Sequence, residues 1–128
     1  MGQRENQNRR LLSLAYRNDT NKVKISSANT FTHELLKMKV CYILLQKKHE
    51  FVTEAIFENG GRADVFDLTN GVVYEILHTE SEEYFNSKKY RYPNEIKEII
   101  PIRTKEIINN IALSDVFVDE ILQRKILE

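Results

Sequence analysis

The chain of 128 residues is long enough for one hydrophobic core and too short for two. Lys plus Arg and Asp plus Glu both total 19, so the net charge of zero excludes a global basic field, and any nucleic-acid-binding surface must be local. The single cysteine, Cys41, excludes a disulfide framework, and no run approaches the ~18 apolar residues of a membrane helix. Met1 to Arg10 also lacks the apolar centre of a signal peptide. The expectation is a soluble protein of a reducing compartment, the cytoplasm, with no membrane partner.

Residues 1–28 read as a basic arm carrying Arg4, Arg9, Arg10, Arg17, Lys22 and Lys24, either mobile or a short helix followed by a strand at Lys22 to Ile25. A single α/β domain should occupy residues 29–128. Leu35, Leu36, Val40, Ile43 and Leu44 recur at helical spacing from Thr32 to about His49, with Cys41 as a packing residue, Thr30 or Thr32 as cap and Glu34 in the first turn. Phe51 to Phe57 reads as a strand, and Glu58-Asn59-Gly60-Gly61 as the turn that folds it back.

Next comes an acidic hairpin. Asn70-Gly71 stands between Gly61-Arg62-Ala63-Asp64-Val65-Phe66-Asp67-Leu68 and Val72-Val73-Tyr74-Glu75-Ile76-Leu77-His78, and a type I′ turn needs the positive φ that Asn-Gly tolerates. A two-residue turn sets Phe66 opposite Glu75 and Asp64 opposite Leu77. Asp64 and Glu75 are then diagonal neighbours on one face, roughly 7–8 Å apart at the backbone, a span two carboxylates can close around one hard cation. Acidic residues on a half-exposed sheet are ordinarily solvated. Here Phe66, Val73 and Leu77 share the face, and a covered, unpaired carboxylate is costly, so a metal or a basic side chain should stand nearby.

Beyond the hairpin, Thr79-Glu80-Ser81-Glu82 fits a capping box, and a helix should run from Glu80 to Arg91, stopped by Pro93. Ile96 to Ile102 follows as a strand reached through that helix, hence parallel to the preceding one by a right-handed crossover. The expected fold class is α/β, a mixed four-stranded sheet of antiparallel meander plus one parallel strand, flanked by helices. Helical pattern resumes at Thr104, and a last amphipathic helix from Ser114-Asp115, apolar at Val116, Val118, Ile121, Leu122 and Ile126, offers a homodimer surface.

This element order resembles the PD-(D/E)XK nuclease superfamily, within it the compact archaeal Holliday junction resolvases and viral or plasmid relatives, over roughly residues 32–105. Arg62-Ala63-Asp64-Val65 looks like the first acidic motif, Val73-Tyr74-Glu75-Ile76 like the second, and Glu34 like the helix glutamate that joins the site in many members. The resemblance implies a restriction-endonuclease-like core and a DNA endonuclease acting on junctions or forks. Asp64, Glu75 and Glu34 would hold Mg²⁺ or Mn²⁺, with no small-molecule cofactor. One departure stands out: the family's lysine falls two residues after the glutamate, where this chain has Leu77. Lys88 and Lys89 on the crossover helix are the replacements, with Lys89 preferred because it shares a helix face with Glu82 and Phe85.

The remaining residues divide more simply. Arg9, Arg10, Lys88, Lys89 and Arg91 are the candidate DNA contacts, the last three within the run Lys88-Lys89-Tyr90-Arg91-Tyr92. Asp67, next to the turn, suits local hydrogen bonding. Glu54 joins the acidic site only in the register that puts it opposite Phe66. His33 and His49 lack zinc spacing and read as surface or capping residues, and Tyr84 and Phe85 as core contacts. The rivals to an endonuclease are a DNA-binding protein that has lost its chemistry and a protein-interaction module.

Overall fold

The computed structural model describes residues 2–77, 81–104, 124 and 126. The β-branched and aromatic runs form β1 (Phe51–Ile56), β2 (Arg62–Asp67) and β3 (Val72–Leu77), an antiparallel meander. β4 (Glu98–Arg103) lies parallel to β3, giving the order β1-β2-β3-β4. Pro101 sits in β4, tolerable because an edge strand can leave one side of its backbone unpaired. The α/β class and the mixed four-stranded sheet are as expected.

Among the described residues the helical elements are α1 (Gln3–Arg9), α2 (Phe31–Gln46) and α3 (Glu82–Lys89), with a 3₁₀ turn at Leu14–Tyr16. Leu36, Val40, Ile43 and Leu44 of α2 pack on Val65, Tyr74, Ile76 and Ile102, and Cys41 is buried among them. The second core joins Leu12, Val52, Phe57, Phe66, Val73 and Tyr92. Phe57 is its hub, edge-on to Phe66 at 5.0 Å and to Tyr92 at 5.8 Å between ring centroids. No helix among the described residues is long and apolar enough to cross a membrane.

The stretch read as a basic arm packs on the sheet. Leu12 is fully buried and forms a bridge with Phe57, a burial that contributes about 1.5–3 kcal/mol. Arg9 is tied to Glu50 at 2.7 Å. The strand expected at Lys22 to Ile25 does not form, because the Thr53 side chain takes the place of a ladder partner. Its Oγ1 accepts from Lys24 N at 2.9 Å and donates to Lys22 O at 2.8 Å.

The hairpin register differs from expectation by two residues. Asp67 pairs with Val72, Phe66 with Val73 and Val65 with Tyr74, so the loop is Leu68 to Gly71. The cause is the Asp67 side chain, whose Oδ1 accepts from the Thr69 and Asn70 N–H groups at 3.0 and 3.3 Å and so wraps the chain into a wider turn. Gly71 completes it at φ +71°. A slip of two keeps each strand's alternation but brings Asp64 level with Glu75 instead of diagonal to it. Leu77 is therefore not opposite Asp64; it is buried and pairs with Arg103 of β4. In the β1–β2 ladder Glu54 falls level with Asp64 rather than with Phe66, which pairs with Val52.

α3 starts later than the capping box suggests. Its cap is Ser81, whose side chain accepts from Tyr84 N, and not Thr79. Within it Phe85 is buried and Tyr84 half exposed. The amphipathic helix and the dimer surface expected from Ser114-Asp115 onward fall mostly outside the described residues.

Candidate active site

Asp64 and Glu75 lie where β2 and β3 run past their last paired residues, Val65 and Tyr74. There Asp64 Oδ2 accepts the backbone N–H of Ile76 at 2.8 Å, a side chain standing in for a strand carbonyl. Glu75, fully buried, accepts from Lys88 Nζ at 2.8 Å and from the Tyr92 hydroxyl. Burial, then the negative charge of Asp64, pushes the Glu75 carboxyl up to about 8, against the pull of Lys88 and Tyr92. Asp64 moves down: burial opposes, but His33 and the Ile76 N–H outweigh it.

α3 and the turn after it deliver Lys88 and Tyr92. Lys88 is the lysine brought to the acidic pair; Lys89 instead sets its ammonium over the Phe85 ring, 4.8 Å from the centroid. Both choices follow from helix geometry, since residue 89 lies one turn beyond Phe85 on the same face and stacks there. A close backbone approach holds this segment on β2. A Cβ on Gly61 would stand 2.2 Å from Arg91 O, so only glycine lets the chains meet. Tyr92 locks the junction, since its hydroxyl, whose single hydrogen the two oxygens share, also lies 2.9 Å from Arg62 O.

On the other side of Asp64 the first turns of α2 present alternating charge. His33 Nε2 is 3.4 Å from Asp64 Oδ2, and His33 Nδ1 is 3.3 Å from Glu34 Oε1. The latter contact is electrostatic only, for Nδ1 is buried with no hydrogen-bond partner in line. Burial works against the imidazolium, but Asp64 and then Glu34 raise its pKa overall. Glu34 is itself fixed by Asn29 at 2.7 Å and by Lys37, one turn on, at 2.5 Å. Lys37 is fully buried and also reaches Glu54 at 3.5 Å, while Arg62 holds Glu54 at 2.5 Å. Glu54 has φ +49°, an arrangement that costs a β-strand residue of order 1–3 kcal/mol and that collects at functional sites.

Four carboxylates, Glu34, Glu54, Asp64 and Glu75, thus alternate with Lys37, Arg62, His33 and Lys88. The sequence pointed to Asp64, Glu75 and Glu34, and offered Lys88 only behind Lys89, which the structure places on Phe85 instead. It did not point to His33, read as a surface residue, to Lys37, visible only as an i,i+3 partner of Glu34, or to Tyr92, which looked like part of a basic-aromatic run. Among the proposed DNA contacts Arg9 is engaged with Glu50, whereas Arg10 and Arg91 are exposed.

Among the described residues no three His, Cys, Asp or Glu side chains form a ready cage for an ion. Mg²⁺ asks for less, namely one or two carboxylates, with water and substrate phosphate completing its shell. Asp64 and Glu75 fit as that pair, since both offer hard oxygens and their mutual repulsion is a cost a divalent cation would remove. Glu34 stands one step further out, with His33 between it and Asp64. No protein-family model, curated protein or solved structure matches this chain.

Proposed function

We propose that the chain is a divalent-metal-dependent DNA endonuclease with a restriction-endonuclease-like core. The observation that carries this reading is the Lys88 ammonium, 2.8 Å from Glu75, in a site whose strand position 77 is leucine. An acidic pair on adjacent strands with one lysine beside it is the donor set that metal-assisted phosphodiester hydrolysis requires. Mg²⁺ or Mn²⁺, when bound by Asp64 and Glu75, supplies an acidified water and neutralises charge on the scissile phosphate. Lys88 orients the attacking water or the phosphate oxygen. Tyr92 fixes the rotamer of Glu75 through its hydroxyl, and His33 keeps Asp64 ionised and turned toward the site.

One observation favours a second reading. Each carboxylate of the cluster already has a protein cation within 3.5 Å, as expected of a DNA-binding protein that keeps the fold without the chemistry. Incubation with labelled junction, fork, duplex and single-stranded DNA in Mg²⁺ or Mn²⁺ separates the two. The endonuclease cuts at least one substrate and stops on chelation. The binder cuts none and holds DNA equally well in chelator.

A further inference from the structure

Beside the acidic cluster lies a cleft of about 820 Å³ whose lining includes Arg10, Asn59, Tyr90, Tyr92, Pro93 and Asn94. Tyr92 belongs to both places, since it lines the cleft and its hydroxyl donates to Glu75. Tyr90 is 90% exposed, an aromatic ring left in water within a mixed polar wall. The lining carries one cation, Arg10, and two carboxylates, Glu58 and Glu95, of which Glu58 is already paired with Arg17 outside it at 2.6 Å. A near-neutral cleft with an exposed ring and side-chain amides is a poor phosphate site. It suits the uncharged half of a nucleotide, whose flat face can stack on tyrosine while its edge meets amides and a guanidinium. A paired base within a duplex presents no free face, so only an unpaired one can enter.

We infer that this cleft binds an unpaired nucleobase, with Tyr90 as the stacking platform, so that the substrate class is DNA carrying a single-stranded segment next to the acidic pair. The inference rests on the nuclease reading for its choice of DNA, but its test needs no cleavage. Fluorescence anisotropy with labelled single-stranded and duplex oligonucleotides, in EDTA, compares the wild type with Tyr90→Ala, an exposed change that leaves both cores intact. Single-strand affinity should fall about 5- to 150-fold, the loss of one base stack, with duplex affinity unchanged. The chain has no tryptophan, so Tyr90→Trp adds a unique reporter whose fluorescence single-stranded DNA should quench. Absent single-strand binding, unchanged affinity in Tyr90→Ala, or an equal loss on duplex overturns the inference. If Tyr90→Ala behaves as expected while no DNA is cut in either metal, the nuclease reading falls and the cleft stands; if DNA is cut but Tyr90→Ala binds single strands like the wild type, the cleft alone falls.

Discussion

Asp67 and Asp64 lie on one strand, three residues apart, and each has a histidine beside it, yet the two ends of the hairpin use this pair differently. At the closed end Asp67 is fully buried, with His49 Nδ1 at 3.0 Å and two turn N–H groups on its other oxygen. One oxygen shapes the loop and the other is held by His49. At the open end Asp64 holds one backbone N–H and a looser contact with His33 at 3.4 Å, and a second carboxylate stands level with it. Burial wins at Asp67 and moves its pKa up; His33 and the Ile76 N–H win at Asp64 and move it down. A carboxylate satisfied by backbone donors is architecture, whereas one balanced by side-chain cations can exchange partners and do chemistry.

The largest effect that would break or sharpen this contrast is expected at Glu75. Glu75→Gln keeps the shape but cannot become a carboxylate, and the rate of metal-dependent cleavage should fall by more than about 100-fold while the thermal midpoint holds. A variant cutting near the wild-type rate would remove the open end from the chemistry. The lysines come next. Lys88→Ala should lower the cleavage rate at least ten-fold more than Lys89→Ala, which gives up only an exposed cation–ring contact of about 0.5–1 kcal/mol. Equal rates for the two variants, measured in single turnover, would detach Lys88 from the mechanism.

At the closed end the expected loss is in stability. Asp67→Ala strips the turn of its acceptor and leaves His49 unpaired, so urea denaturation should show about 1–3 kcal/mol less stability. An unchanged midpoint would mean that the turn holds without its aspartate. The smallest effect belongs to the exposed Arg91. Arg91→Gln should weaken DNA binding across sequences and reduce the salt slope by about 0.9 if the side chain neutralises one phosphate. An unchanged slope would move the DNA path elsewhere.

Much of this was legible in the sequence because the local signals agreed with the long-range pattern: the alternating strands, the periodicity of α2 with its Thr30 cap, and the crossover to a parallel β4. The register was not. Asn-Gly alone suggests a two-residue turn, and only the competing Asp67 side chain, three residues earlier, widens it to four. α3 was misplaced by a similar rivalry, since Thr79 and Ser81 are both good caps and periodicity does not choose between them. At the site the strand carboxylates stood out, but a lone His33 carries no spacing signal and Lys37 only its i,i+3 relation to Glu34. Beyond Glu34 on their own helix, their partners Glu54 and Asp64 come from β1 and β2, and such contacts exist only once the chain is folded. Gly61 is a partial exception, for a Gly-Gly turn marks a tight approach without saying what approaches.

The most direct test pairs the two aspartates in one cleavage assay, with wild type, Asp64→Ala and Asp67→Ala each incubated with the labelled DNA panel in Mg²⁺ or Mn²⁺, at a temperature where circular dichroism shows all three folded. The account predicts cleavage by the wild type, cleavage close to it by Asp67→Ala, and none above background by Asp64→Ala. Cleavage by Asp64→Ala at the wild-type rate, or none by the wild type itself in either metal, would contradict it.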